Sequence, residues 1–307
     1  MTRLAILVPG GRGQLGAELV RVMSARPGAL VHAPGSAELD ITDREAVADA
    51  VDSFAETARD ADLRPVVINA SAYTAVDAAE SDEERARLVN AEGPAQLAKT
   101  CHRNGIPLLH VSTDYVFGGD ADRPYEPTDE TGPRTVYGRT KLDGERAVLD
   151  SGARAWVVRT AWVYGARGGN FVKTMVRLSG ERDSLSVVDD QIGSPTWAAD
   201  LANGLVELAE RVAERRGPDQ KVLHCTNSGQ TSWCEFARAI FAELGLDESR
   251  VQPCTTEDFP RPAPRPAYSV LSEAAWREAG LTPMRTWREA LHAAFETDPE
   301  ALRGATG

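Results

Sequence analysis

The first sixteen residues constrain this chain more than any other segment. An aliphatic run, Arg3 to Val8, breaks at Pro9 into PGGRGQLG and passes into a helical pattern from Gln14 to Ala25, with Leu15, Leu19, Val20 and Met23 at helical spacing. A strand that turns through glycines straight into a helix is the opening unit of a nucleotide-binding βαβ fold. Gly10, Gly13 and Gly16 let the backbone turn sharply, approach a pyrophosphate and pack helix on strand, while the helix presents free amides to the anion. Gly10, Gly11, Arg12, Gly13, Gln14, Leu15 and Gly16 are therefore the expected phosphate-binding segment.

The first half keeps the same rhythm. Short strands are expected at Leu30 to Ala33, Pro65 to Asn69, Pro107 to Ser112 and Ala153 to Arg159. Helices fall between them: one from about Asp43 capped by Thr42, and a long one from Ser81 to Asn104 ending at Gly105. Strands alternating with helices and joined by right-handed crossovers give an α/β, Rossmann-type, doubly wound parallel sheet. The second half is less regular. Amphipathic helices are expected at Leu201 to Arg216, Trp233 to Leu244 and Thr286 to Phe295, and the Pro-rich FPRPAPRPAY, residues 259–268, cannot be helix interior. At 307 residues there is chain enough for two units. We expect a dinucleotide-binding domain from residues 1–164 plus 194–225. A smaller mixed α/β substrate domain, residues 165–193 plus 226–307, is interleaved with it toward the C-terminal side and leaves a cleft over the strand ends.

Lys and Arg total 34 against 46 Asp and Glu, a net charge of −12, with no basic tail or stripe. Nucleic acid and anionic membrane surfaces are thereby poor partners. No apolar run approaches the ~18 residues that cross a bilayer, and none resembles a secretory signal. Cys101, Cys225, Cys234 and Cys254 lie far apart without metal-ligand spacing. The expectation is a cytoplasmic enzyme with no metal.

Cofactor choice is read at the end of the second strand. An NAD-selective site carries a carboxylate there, but the strand ends His32, Ala33, Pro34, and the first acids are Glu38 and Asp40. Arg12 is instead placed to face a 2′-phosphate. NADPH is the expected cofactor, with NADH usable.

Tyr137 and Lys141 stand four apart in VYGRTKLDGE, which places them on one helical face. The only lysines are Lys99, Lys141, Lys173 and Lys221, and chance would supply about 0.08 such Tyr-x-x-x-Lys pairs. Ser112, Thr113 and Asp114 follow a hydrophobic strand, where sites on this fold are built. Reducing a ketone by hydride transfer requires a proton for the nascent alkoxide. A free phenol, pKa ~10, does this poorly until a nearby ammonium favours phenolate. Tyr137 is then the proton donor and Lys141 its activator, which also holds the nicotinamide ribose. Thr113, with Ser112, polarises the carbonyl.

These residues resemble the extended short-chain dehydrogenase/reductase family, and within it the deoxysugar 4-ketoreductases. The likeness runs over nearly the whole chain: GGRGQLG, NASAYTAVDAAE (69–80), STDYVF (112–117), YGRTK (137–141), RTAWVYG (159–165) and DDQIGSPT (189–196). It implies NAD(P)H-dependent reduction of the 4-keto group of a dTDP-linked 6-deoxy-L-sugar, dTDP-4-dehydro-L-rhamnose first among them. By resemblance Thr113, Tyr137 and Lys141 are catalytic. Ala70, Ser71, Ala72 and Thr74 run along the cofactor, and Asp40 and Ile41 lie at the adenine. Asp114, Trp162 and Asn170, next to Phe171, meet the substrate. Arg261 and Arg265 of the Pro-rich loop are the candidate diphosphate clamps. Where the family carries Arg-Pro-Ala-Asn-Ser, this chain has Tyr268 in place of Asn, which leaves the sugar open. Some relatives dimerise through magnesium-bridged glutamates. Glu18 matches one of these but the full set is missing, so no metal is expected and a homodimer stays open. Two other readings stand beside this one: a related dTDP-deoxysugar 4-ketoreductase of an antibiotic pathway, such as one making dihydrostreptose, and a non-catalytic cofactor-binding regulatory subunit.

Overall fold

The computed structural model describes residues 3–303; residues 1–2 and 304–307, at the outer ends of the two expected domains, lie outside the described residues. The first strand, β1 (Leu4–Leu7), is buried on both faces. Leu4 and Ile6 point into one hydrophobic cluster and Ala5 and Leu7 into another, as the two-residue period of a strand requires. β2 (Leu30–His32) and β3 (Arg64–Asn69) pair with its two edges, and β4 (Leu108–Thr113) and β5 (Ala155–Thr160) extend the sheet. A late strand, β10 (Val222–His224), completes an all-parallel six-stranded sheet in the order β10-β5-β4-β3-β1-β2. The chain runs outward from β1 to β2 and then returns to β3 on the other side. The carboxyl end of β1 is thus the point where strand order reverses, which is where sheets of this kind bind ligands.

The helices α1 (Gln14–Ser24) and α8 (Ala198–Ala213) cover one face, and α2 (Arg44–Asp60), α5 (Gly93–Asn104) and α6 (Val136–Leu149) the other. The doubly wound Rossmann-type fold read from the alternation is present. One local expectation needs correction, and a second holds with an irregularity inside it. The N-cap of α2 is Asp43, which accepts from the amides of Glu45 and Ala46. Thr42 is not free for that task, because its amide and hydroxyl both donate to Asp40 Oδ1, at 2.9 and 2.8 Å. The long helix expected from Ser81 to Asn104 runs without interruption from Glu83 to Asn104, as α4 (Glu83–Arg87), a π-helical turn at Leu88–Glu92 and α5, and a separate short α3 (Val76–Ala79) precedes it. Pro94 has no N–H to return to the Asn90 carbonyl, so the regular ladder lapses there. Asn90 turns inward, accepting from the Tyr73 amide (2.8 Å) and donating to Thr140 Oγ1 of α6 (3.1 Å). Helix α5 stops at Gly105, in the left-handed region at φ 66°.

Beyond β5 the chain builds a second layer from short pieces. β6 (Val163–Tyr164) pairs with β9 (Thr196–Trp197), and β7 (Leu185–Val188) with β12 (Val251–Cys254). β8 (Ile192–Gly193) pairs with β11 (Thr231–Ser232). Around them pack α7 (Phe171–Glu181), α9 (Trp233–Glu243) and α11 (Trp287–Thr297), which bury a core of their own built on Tyr164, Val172, Phe236, Trp287 and Phe295. The short α10 (Ala274–Glu278) joins the sheet side instead, Trp276 packing with the α8 cluster. Residues 259–268 form no helix, as their prolines require. Among the described residues no helix is long and apolar enough to cross a membrane.

One interaction ties α6 to β5 in the interior. Arg159 donates to both carboxylate oxygens of Glu145, at 2.9 and 2.7 Å, with the two side chains 4% and 1% exposed. Removing one partner leaves the other charge buried and unpaired, so Glu145→Ala is expected to cost about 3–5 kcal/mol in denaturant unfolding. Arg103→Ala, which breaks a half-exposed pair with Asp52, should cost under about 1 kcal/mol in the same measurement.

Candidate active site

The glycine loop follows β1 as expected, and three of its glycines are required by contact. Gly10 has φ 82°, and a Cβ there would lie 2.8 Å from the Ala70 carbonyl carbon and the Ser71 amide. A side chain at Gly11 would strike Ala33, and one at Gly16 the Gly10 carbonyl. The ends of β1, β2 and β3 are thereby drawn together around the loop. Gly13 caps α1 without a side-chain hydrogen bond, so the first-turn amides of that helix remain open to an anion.

On the far side of the same strand ends, β4 runs into Thr113, which accepts from the Tyr115 amide (3.2 Å) and donates to Asp114 Oδ1 (2.9 Å). Helix α6 starts at Thr135, whose hydroxyl accepts from the Gly138 amide (3.0 Å). Gly138 and Gly144 let it close on its neighbours, for side chains there would collide with the Tyr115 and Asn90 carbonyl oxygens. Tyr137 and Lys141 then share the inward face of the helix, 9% and 1% exposed, with Tyr115 packed edge-on to Tyr137 at 5.4 Å. Lys141 Nζ donates to the Val111 carbonyl at 2.7 Å.

Between these halves lies a cleft of about 860 Å³, lined by Gly13, Gln14, Leu15, Ala70, Ser71, Ala72, Thr74, Thr113, Asp114, Tyr137, Lys141, Trp162, Arg261 and Arg265 of the expected site residues. The others stand outside its wall. Arg12 pairs with Glu38 at 3.0 Å, and Glu38 also accepts the Gly35 amide at 2.7 Å. Asp40 holds Thr42 and Arg85, while Ile41 is buried against the backbone of Gly93. Asn170 caps α7 and donates to Gln14 Oε1 (3.0 Å), tying the glycine loop to the second layer. Of the two Pro-rich-loop arginines, Arg265 is held bidentately by Asp77, at 2.8 Å to each oxygen. Tyr268 donates to Gln230 Oε1 (2.9 Å) and does not line the cleft.

Trp162 adopts φ 48°, a strained backbone for a residue with a side chain, and its ring fits only because Gly193 beneath it has none. It stacks on Trp233 at 3.4 Å between centroids, with Phe171 alongside. Trp233 and Phe171 line the cleft too. Trp233 is a site residue that sequence reasoning missed. Its one signal was an aromatic at the first position of an amphipathic helix, which more often marks core.

Burial dominates the electrostatics. It pushes the Tyr137 phenol up to about 12, and the hydrogen bond with Thr113 opposes this only in part. The lowering expected from a neighbouring ammonium is therefore not delivered by the polypeptide alone. Burial brings Lys141 down to about 8, against the pull of Glu145. It raises Asp114 to about 6, despite hydrogen bonds from Ser269 and Thr113. Asp114 Oδ2, Ser112 Oγ and Thr160 Oγ1 are buried with no partner among the described residues, and all three residues border the cleft. A wall of unsatisfied polar atoms facing open helix amides suits a ligand that carries hydroxyls at one end and phosphates at the other. Among the described residues no group of His, Cys, Asp and Glu is arranged to hold a metal, and Glu18 pairs with Arg21 at 2.6 Å.

Such a sheet, with its glycine loop and its buried Tyr and Lys, defines a dinucleotide-dependent enzyme of the extended short-chain dehydrogenase/reductase kind. Comparison with known proteins narrows this: the family described as "RmlD substrate binding domain" matches residues 4–298, and the chain belongs to it. It is 49% identical over 306 residues to a dTDP-4-dehydrorhamnose reductase of Streptomyces griseus, covering 98% of this chain and 95% of that one. It is 50% identical over 295 residues to a Mycobacterium tuberculosis protein of the same name, covering 94% and 92%. A crystal structure of dTDP-4-dehydrorhamnose reductase from Bacillus anthracis in complex with NADP superposes with a TM-score of 0.87 at 34% identity, covering 96% of this chain and 100% of that one.

The elevated Asp114 gives a stability prediction with a definite sign. Its native pKa lies above the unfolded value of 3.8, so folding is favoured by proton uptake between them and loses that contribution as pH rises through about 6. Asp114→Asn, which cannot ionise, is expected to match the native protein near pH 4. Above pH 6 it should be more stable by on the order of 2–3 kcal/mol in urea unfolding. Equal stability differences at both pH values would show that Asp114 is not held neutral by burial.

Proposed function

We propose that this chain reduces the 4-keto group of dTDP-4-dehydro-L-rhamnose to give dTDP-L-rhamnose, with NADPH as the preferred cofactor and NADH usable. The observation that carries the reading is the convergence of Thr113, Tyr137 and Lys141 at the carboxyl end of β4, across one cleft from the glycine loop. Relatives at 49% and 50% identity that bear the corresponding name support the substrate, and the NADP in the Bacillus anthracis structure supports the cofactor.

In this reading the residues take the following roles. The loop Gly10–Gly16 and the α1 amides receive the pyrophosphate, and Ala70, Ser71, Ala72 and Thr74 run along the dinucleotide, with Asp40 and Ile41 toward the adenine. Arg12 turns from Glu38 to a 2′-phosphate, or stays paired when the ribose carries only hydroxyls. NADPH, when bound, supplies the hydride. Tyr137, kept protonated by burial, gives the proton on Oη to the sugar oxygen as it gains charge. Thr113 has one hydroxyl proton, committed to Asp114, and rotates it toward the ketone. Trp162 stacks on the sugar, Asp114 and Asn170 meet its polar groups, and Arg261 with Arg265 faces the diphosphate. In this reading residues 1–164 plus 194–225 hold the dinucleotide, residues 165–193 plus 226–307 hold the sugar nucleotide, and the enzyme works in the cytoplasm. Self-association as a homodimer is to be tested by light scattering.

The deciding assay follows loss of NADPH and of NADH with enzymatically prepared dTDP-4-dehydro-L-rhamnose, the product's configuration being read by NMR. One dTDP-L-rhamnose per NADPH consumed is expected. Preference for another dTDP-4-keto sugar assigns the chain to an antibiotic-type ketoreductase. No turnover on any such ketone, with a stoichiometric partner protein, assigns it to a regulatory subunit. Tyr137→Phe should bind NADPH unchanged, by fluorescence titration, and lose about 10²–10⁴-fold in kcat. Full activity in that variant would remove Tyr137 as the proton donor.

A further inference from the structure

Behind Lys141 runs a buried polar chain that the catalytic reading does not use. The Ser71 amide donates to Asn69 Oδ1 at 3.0 Å. A backbone N–H can only donate, so the atom it meets is the amide oxygen, and the Asn69 NH2 is left facing His110 Nδ1 at 3.1 Å. Asn69 and His110 are both fully buried, and burial, reinforced by the charge of Lys141, holds His110 well below the usual histidine range. The imidazole is therefore neutral and carries one proton. Nδ1 receives the Asn69 N–H, so that proton sits on Nε2, which lies 3.5 Å from Lys141 Nζ.

Two N–H groups cannot hydrogen-bond to each other. The contact is favourable only when Nζ offers a lone pair, that is, when Lys141 is an amine. Its remaining N–H contact, to the Val111 carbonyl, is satisfied in either state. We propose that Asn69 and His110 are positioning residues that turn an imidazole N–H toward Lys141, favour its amine over its ammonium, and so set the alkaline limit of the reduction. The other groups near Lys141 are accounted for. Tyr137 lies one turn earlier on α6, and Glu145 one turn later. Glu145 favours the ammonium, but its carboxylate is taken up by Arg159 of β5. On deprotonation the Nζ proton passes to water, and the Nε2–H then donates to the freed lone pair.

This inference rests on the reductase reading for its kinetic arm alone, since the tautomer is read without turnover. In native protein labelled with 15N-histidine, long-range 1H–15N spectra, with His110 assigned by its loss in His110→Phe, should show a bare Nδ1 and a protonated Nε2 from about pH 6 to 9. A proton on Nδ1, or an imidazolium, overturns the proposal. Asn69→Asp puts an acceptor opposite Nδ1, moves the ring proton there and presents the Nε2 lone pair to Lys141. The alkaline limb of kcat/KM should then move up by about one pH unit or more, a tenfold or greater gain in the proton affinity of Lys141. A lowered rate with the limb unmoved, in a variant whose tautomer has switched, overturns it as well.

Discussion

An ammonium withdrawn from water must find oxygen, and Lys141 finds it in the carbonyl of Val111, 2.7 Å from Nζ in a side chain only 1% exposed. That contact sets how near α6 stands to the end of β4. Gly138 and Gly144 permit the approach because any side chain there would strike backbone oxygen. Glu145, on the same helix, meets Arg159 of β5 at hydrogen-bond distance and fixes the helix from the other side. With the helix placed, Tyr137 falls on the cleft floor beside Thr113. The catalytic arrangement is thus a consequence of how a buried charge is satisfied.

The rest of the cleft depends on two backbone devices. The reversal of strand order at β1 leaves a crevice, and the glycine contacts draw the ends of β1, β2 and β3 together at its edge. Over this stands a second layer with its own hydrophobic core, joined to the loop by the Asn170–Gln14 hydrogen bond. The chain's net charge is −12, yet Lys141, Arg261 and Arg265 all face the cleft. Its positive charge is therefore local, and part of it is tempered by carboxylates: Asp77 holds Arg265, and Glu38 holds Arg12 near the loop. Anion binding in such a site is an exchange of partners, which limits its cost in desolvation.

Much of this was legible in the sequence. The alternation of aliphatic runs with helical patterns named the sheet, and PGGRGQLG named its ligand end. Tyr137 and Lys141 could be paired on spacing alone. What escaped was anything that depends on a partner far along the chain. Pro94 could be seen, but that Asn90 would turn inward to Tyr73 and Thr140 could not. Arg265 read as a diphosphate clamp, and its pairing with Asp77, 188 residues away, could not be seen. Trp233 read only as the start of an amphipathic helix, and its stacking on Trp162 could not be seen.

The sequence by itself determined the order of the elements, the position of the glycine turn and the residues that share one face of α6, because each depends on a period of a few residues within one segment. Only the tertiary structure decided which protonation states those residues favour. Proton affinity is set by burial and by hydrogen-bond polarity, and groups such as Asn69 and His110, 41 residues apart, acquire either only when β3 and β4 lie side by side.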